Sequence, residues 1–215
     1  MTEHSQQEHW NSVFQREPGR FGDEPSYAAN QAVKKFRDIG TKSVLELGAG
    51  AGRDTLCLAA HGFAVTAVDY APSALLAIQR AAHTRQIAER ITSTQHDLRT
   101  ALPFADATFD ACYSHMLYCM AFSDEELAFL SAEVLRVLKP GGVVMYTARN
   151  ISDPDYGLGR KQAEGVYEDE GFVVHFFDRV LVDRLARGYE DLNVEEFEEG
   201  TLPRKLFLVT MTRHA

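Results

Sequence analysis

"VLELGAGAGRDTLCLAAHGFAVTAVD", residues 44–69, is the stretch that decides the fold. Val44–Leu47 is an apolar run of the length of one buried strand. Gly48, Gly50 and Gly52 alternate after it, an apparent helix covers 53–61 and stops at Gly62, and "FAVTAVD" is a second apolar run. Strand, glycine loop, helix and strand in that order make a parallel βαβ unit. Glycines let the chain turn sharply and let a ligand reach the main chain. The helix that follows offers unpaired N–H groups and its positive end to that ligand. Asp69 ends the second strand, where a carboxylate can accept both hydroxyls of a ribose.

A nicotinamide dinucleotide shares those requirements, so spacing has to separate the ligands. The dinucleotide fingerprint G-x-G-x-x-G needs a glycine at its sixth position. Here the order is G-x-G-x-G, the sixth position is Arg53 and Asp54 comes next. No Gly-Lys-Ser/Thr follows, which removes the P-loop alternative. A pyrophosphate beside Asp54 would meet a like charge. A ligand with a ribose, no phosphate and an amino-acid tail fits the loop better, and S-adenosylmethionine is such a ligand.

Outward from this unit the alternation continues. "PSYAANQAVKKFRDIG" predicts a helix, with Ser26 as cap, Ala29, Ala32, Val33 and Phe36 at helical spacing and Gly40 at its end. Residues 72–89 read as an Ala-rich helix opened by Pro72. "ITSTQ" and "FDACYSH" read as strands. In "SDEELAFLSAEVLRVL", Ser123 and Glu126 form a capping box, "KPGG" is the expected stop, and "VVMYTA" follows as a fifth strand. This rhythm calls for a parallel α/β sheet covered by helices on both faces. It breaks after residue 150. A Gly- and Asp-rich stretch over 151–171 has no clear period and is long enough for a functional lid. A helix near 178–187 and a hairpin in "LNVEEFEEGTLPRKLFLVTM" complete the reading. The expectation is one domain over 1–215, with 1–24 as an N-terminal cap segment carrying Trp10, Phe14 and Phe21 and 151–175 as a substrate lid.

Composition narrows the partners. A formal charge of −9, from 31 acidic and 22 basic residues, argues against nucleic acid, which needs clustered Lys and Arg. A small molecule is the expected partner. No apolar stretch reaches the roughly 20 residues of a membrane span, and the polar start "MTEHSQQEHW" has no secretory pattern. Cys57, Cys112 and Cys119 have no zinc spacing, so reduced thiols, a cytoplasmic location and no metal are expected. The sequence does not reveal the oligomeric state.

The same residues resemble a known family. "VLELGAGAGRDTLCLAAHGFAVTAVD", "QHDL", "FDACYSHMLYCM" and "EVLRVLKPGG" resemble the cofactor and core motifs of class I SAM-dependent methyltransferases. "GRDTLCLAAHGFAVTAVDYAPSAL" is similar in particular to the tellurite-resistance-type small-molecule enzymes. The resemblance implies a Rossmann-like three-layer sandwich whose seven-stranded, mostly parallel sheet ends in an antiparallel C-terminal strand. It implies that Gly48, Gly50, Gly52 and Arg53 border the methionine part of the cofactor and that Glu46 sits near its amino group. Asp69 would hold the ribose, Tyr70 would flank the adenine, and Asp97 and Leu98 would bind its amino group and ring. Ser114 and His115 would lie beneath the sulfonium. The strand-four tip reads "SHMLY" where the nucleic-acid and protein amide methylating branch has Asn/Asp-Pro-Pro-Tyr/Phe, which points away from those acceptors.

Methyl transfer from a sulfonium is an in-line displacement. Aiming the acceptor along the S–CH3 axis can lower the barrier by roughly 7–11 kcal/mol in favourable cases. A base is needed only when the acceptor must lose a proton. His115 is the one candidate for that role, against an ordinary backbone-bonded histidine. Trp10 is read either as a cofactor cap or as a packing residue, and Phe14 likewise. Tyr118, Tyr156 and His175 are candidate pocket residues, with core packing or an exposed turn as the alternatives. Cys119 reads as packing.

Overall fold

Four consecutive buried side chains, Val44–Leu47, make a strand only where both faces of a sheet are covered, and that is what this run becomes. A computed structural model describes residues 3–17, 19–20, 22–200 and 203–215. Its contacts sort the chain into two compact units. One runs to Leu98 and includes Phe109–His115; the other holds Arg99–Thr108 and Met116–Ala215.

The first unit contains α1 (Glu3–Arg16), α2 (Tyr27–Asp38), β1 (Ser43–Leu47), α3 (Arg53–Ala60), β2 (Ala64–Asp69), α4 (Pro72–Thr84), β3 (Ile91–Gln95) and β4 (Phe109–Ser114). The strands β1 and β2, β2 and β3, and β1 and β4 pair in parallel. Ser26 caps α2 by accepting from Ala29 N, and the helix buries Ala29, Ala32, Val33 and Phe36, the stripe expected from their spacing. A fully buried residue of Phe36's size contributes about 1.5–3 kcal/mol. The expected helix over 72–89 ends early, at Thr84. Gln86 adopts a left-handed φ of 57°, which no helix continues through, and a short 3-10 turn, Ala88–Arg90, follows.

The second unit contains α5 (Asp124–Val137), β5 (Leu138–Arg149), β6 (Arg160–Ala163), β7 (Val166–Asp169), β8 (Phe172–His175), α6 (Arg179–Leu185), β9 (Tyr189–Glu199) and β10 (Arg204–Arg213). The Ser123–Glu126 capping box is present. "KPGG" does not stop the helix but lies inside β5, because Leu138 is already extended and Pro140 keeps Lys139 out of helical space. The 151–171 stretch, expected to be irregular, instead carries β6 and β7, which β8 completes as an antiparallel meander. Glu170 and Gly171, at φ 47° and 89°, form the tight turn between its last two strands. Strands of four residues are too short to show a period in sequence.

The main sheet has seven strands in the order β3-β2-β1-β4-β5-β10-β9. The C-terminal strand β10 runs antiparallel to both β5 and β9, as the family resemblance implied. The hairpin's expected turn includes Thr201 and Leu202, and the N-terminal segment includes Pro18 and Phe21; these lie outside the described residues. No helix among the described residues is long and apolar enough to cross a membrane.

Candidate functional site

Parallel register assembles the site. Leu47 pairs with Val68 and Glu46 with Tyr113, so β1, β2 and β4 end side by side. The strand order reverses direction between β1 and β4, the place where open α/β sheets bind ligands. Gly48 N and Ala49 N both donate to Val68 O, at 2.8 and 3.1 Å, and this folds the glycine loop back beside Asp69. The glycines have separate duties. A Cβ on Gly50 would stand 3.2 Å from the Phe14 ring, so α1 lies directly over the loop. A Cβ on Gly52 would stand 2.5 Å from Ile78 Cγ1, so this glycine, expected beside the cofactor's methionine part, lets α3 close against α4.

Three buried carboxylates surround the loop, and their hydrogen-bond donors are unequally shared. Asp54 accepts from Ser26 N (2.9 Å), Ser26 Oγ (2.7 Å) and Tyr113 OH (2.8 Å), with Arg53 Nε at 3.3 Å. It therefore faces inward, toward α2. Engaged by Ser26 and Tyr113, Asp54 does not supply the like charge expected to repel a pyrophosphate; Asp69, bonded to Gly50 N, is the carboxylate beside the loop. Asp69 accepts from Gly50 N (2.8 Å) and Ala71 N (2.9 Å). Burial raises its pKa and those backbone donors oppose the rise. Each carboxylate oxygen keeps a further lone pair for a ribose hydroxyl. Glu46 is only 3% exposed, and its Oε2 has no hydrogen-bond partner. Burial pushes its pKa up to about 8; the adjacent Thr55 hydroxyl and Arg53 oppose the rise, while Asp54 and Asp69 add to it. Carboxylates with unused acceptor capacity suit a ligand that brings hydroxyl or ammonium donors.

The other expected cofactor residues fall around this core. Tyr70 follows Asp69 and is tied to α1: its carbonyl accepts from Gln7 Nε2 at 3.0 Å and its hydroxyl donates to Gln6 O at 3.4 Å. Asn11 holds Ser73, its Oδ1 accepting from Ser73 N at 3.1 Å and from Ser73 Oγ at 2.7 Å. Trp10 and Phe14 pack against each other on the same helix, with tilted rings whose centroids are 5.8 Å apart. Gln7 and Asn11 carried no signal in the sequence reading. Asp97 is exposed just beyond β3, and Leu98 is buried. Ser114 donates its hydroxyl to Leu47 O at 3.0 Å, which joins the tips of β4 and β1. His115 is half-buried directly after β4.

In the second unit the candidate pocket residues have structural partners. Tyr118 is buried and stacks on Tyr146 with ring centroids 4.1 Å apart. Cys119 donates to Met116 O at 3.4 Å. Tyr156 is 36% exposed and packs edge-on against Tyr167 and Phe176. His175 is buried, with Nδ1 3.0 Å from Phe122 O and Nε2 3.6 Å from Asp124 Oδ1. Burial lowers its pKa, against the opposing pull of Phe122 O and Asp124. Met116, which no sequence signal marked, adopts a φ of 62° and donates its N–H to Thr147 Oγ1 at 2.8 Å.

Residues 44–142 match a family described as a methyltransferase domain. Over 112 residues the chain is 37% identical to a demethylmenaquinone methyltransferase of Tropheryma whipplei (strain Twist), covering 52% of this chain and 43% of that protein. The chain thus spans less than half the length of the curated relatives it matches. Two solved structures share the fold. A Burkholderia thailandensis 1,6-didemethyltoxoflavin-N1-methyltransferase with bound 1,6-didemethyltoxoflavin and S-adenosylhomocysteine has a TM-score of 0.75 at 20% identity, covering 99% of this chain and 88% of that one. TehB from Haemophilus influenzae has a TM-score of 0.67 at 16% identity, covering 96% and 67% respectively.

Proposed function

We propose that this chain, whose residues 44–142 match a methyltransferase domain and whose sheet has the seven-stranded order described above, transfers a methyl group from S-adenosylmethionine to a small-molecule acceptor. The observation that carries the reading is the pair of carboxylates at the mouth of β1 and β2. Asp69 is braced by two main-chain donors yet keeps lone pairs for a ribose, and Glu46 has an oxygen in want of a cation. In this reading Gly48, Gly50 and Arg53 border the methionine part, Tyr70, Asp97 and Leu98 take the adenine, and Ser114 closes the floor. Segment 1–24 caps the cofactor, and 151–175 serves as the lid on the acceptor side, within one working domain. The acceptor is a thiol, metalloid, amine or hydroxyl, attacked in line. His115 is the base where the acceptor must lose a proton.

Calorimetric titration tests the cofactor half. S-adenosylhomocysteine binds and NADH does not; Asp69→Ala weakens binding by about 1.5–3 kcal/mol, the range for hydrogen bonds to a charged group. Unchanged affinity in that variant would remove the ribose from Asp69. Methyl-labelled S-adenosylmethionine with a panel of thiols, amines, phenols and metalloid oxyanions tests turnover. Tight binding with every acceptor unlabelled would make the chain a binding protein or a partner-dependent subunit.

A further inference from the structure

Glu46 poses a problem that the cofactor reading alone does not solve. It sits at the end of β1 among other acids, and the uncommitted donor beside it is the neutral Thr55 hydroxyl; the other donors nearby are taken. Asp54 takes Ser26 and Tyr113, and Asp69 takes Gly50 and Ala71. The titratable groups facing Glu46 are Arg53, Asp54 and Cys57 from α3, Asp69 from β2, and Cys112 and Tyr113 from β4. Arg53 is the only cation of that set, and it is drawn to Asp54 at 3.3 Å. A carboxylate with a buried, unpartnered oxygen beside two others is costly to ionise, and the group lowers that cost by holding a proton.

We propose that Glu46 makes the loop selective for a ligand with a cationic amino group, which displaces the proton from Glu46 as it binds. The inference rests on the cofactor reading above. The exchange is balanced: the Glu46 carboxyl releases one proton to solvent, and the ligand's ammonium replaces it as the positive partner of the carboxylate. A ligand with the same adenosine but no amino-acid tail has nothing to exchange. Methylthioadenosine is that ligand. Discrimination between the two therefore grows as the proton becomes easier to remove, that is, as pH rises toward the folded-state value.

Calorimetry in buffers of different ionisation enthalpy counts the protons directly. At pH 6.5, S-adenosylhomocysteine is expected to release about one proton per site, and its Kd to fall close to tenfold (about one decade) between pH 6 and pH 7. Methylthioadenosine is expected to release none, and Glu46→Gln to bind S-adenosylhomocysteine with neither the release nor the pH slope. Release that persists in Glu46→Gln, or that accompanies methylthioadenosine, would assign the proton to another group such as Asp69 and overturn the inference, with the cofactor reading intact. Binding with no proton exchange would overturn it equally. Should Glu46→Gln fail to fold, the comparison of the two ligands on the wild-type protein decides alone. If S-adenosylhomocysteine does not bind at all, the cofactor reading falls and takes this inference with it.

Discussion

Gly52 is held by two constraints that act on one atom. Its φ of 89° disfavours any side chain, and the Cβ it lacks would lie 2.5 Å from Ile78 Cγ1. The left-handed penalty is about 1–2 kcal/mol and overpacking adds about 1–3. Gly52→Ala is therefore expected to destabilise the protein by roughly 2–5 kcal/mol in urea unfolding, more than a loop glycine that merely borders a ligand. Because Ile78 is the obstacle but is itself buried, Ile78→Ala should cost less in the Gly52→Ala background than in the wild type, a non-additivity reserved for residues in contact. Strict additivity of the two changes would mean that the backbone, not the α3–α4 contact, sets the requirement. Gly50 differs. The ring of Phe14 faces it at 3.2 Å, so the neighbour there is a side chain on a helix that can move.

That helix, α1, is the element whose hold on the rest is most easily altered. It has 14 residues and few apolar ones, and such a segment is marginal in water without tertiary anchors. Its anchors are the Trp10–Phe14 pair and two polar clasps, Gln7 on the Tyr70 carbonyl and Asn11 on Ser73. Each clasp is worth about 0.5–1.5 kcal/mol. Replacing Gln7 and Asn11 by Ala should speed amide exchange in α1 while leaving α2 unchanged, and should raise the association rate of S-adenosylhomocysteine. Unaltered exchange would mean that the aromatic pair alone fixes the helix. The elements also show what sequence could and could not convey. The limits of α2 and the start of α5 were readable because caps and apolar stripes are local, whereas the stop expected for α5 at "KPGG" lies inside β5. Ser26 was legible as a cap, but its bond to Asp54, 28 positions away, was not. The end of α4 at a left-handed Gln86 and the four-residue strands of the meander carry no local period or breaker. In the candidate site, Asp69 was visible because a strand end fixes its place. Glu46's orphaned oxygen was not, since it depends on how donors from α2, α3 and β4 are shared.

Across the whole molecule, that sharing becomes a dependence of folding on pH. Glu46 has an ordinary value of 4.5 in the unfolded chain and about 8 in the folded one. Between those values the folded protein keeps a proton that the unfolded chain has released. Stability therefore falls as pH rises through that window, by up to roughly 1.4 kcal/mol per pH unit for a single group. The raised Asp69 acts in the same direction over its own range. A carboxylate stabilised by partners would give the opposite sign, since it loses stability on acidification; the slope thus separates Glu46 from the surface ion pairs. Urea unfolding of the ligand-free protein from about pH 5 to pH 8 is expected to show the decline, and Glu46→Gln to flatten the part that Glu46 contributes. Saturating S-adenosylhomocysteine should offset the decline, because ligand binding strengthens over the interval in which the free site weakens. Parallel curves for wild type and Glu46→Gln would place the proton elsewhere. A flat wild-type curve would mean that Glu46 is ionised in the folded state, with a donor for Oε2 supplied by rearrangement of Thr55 or Arg53.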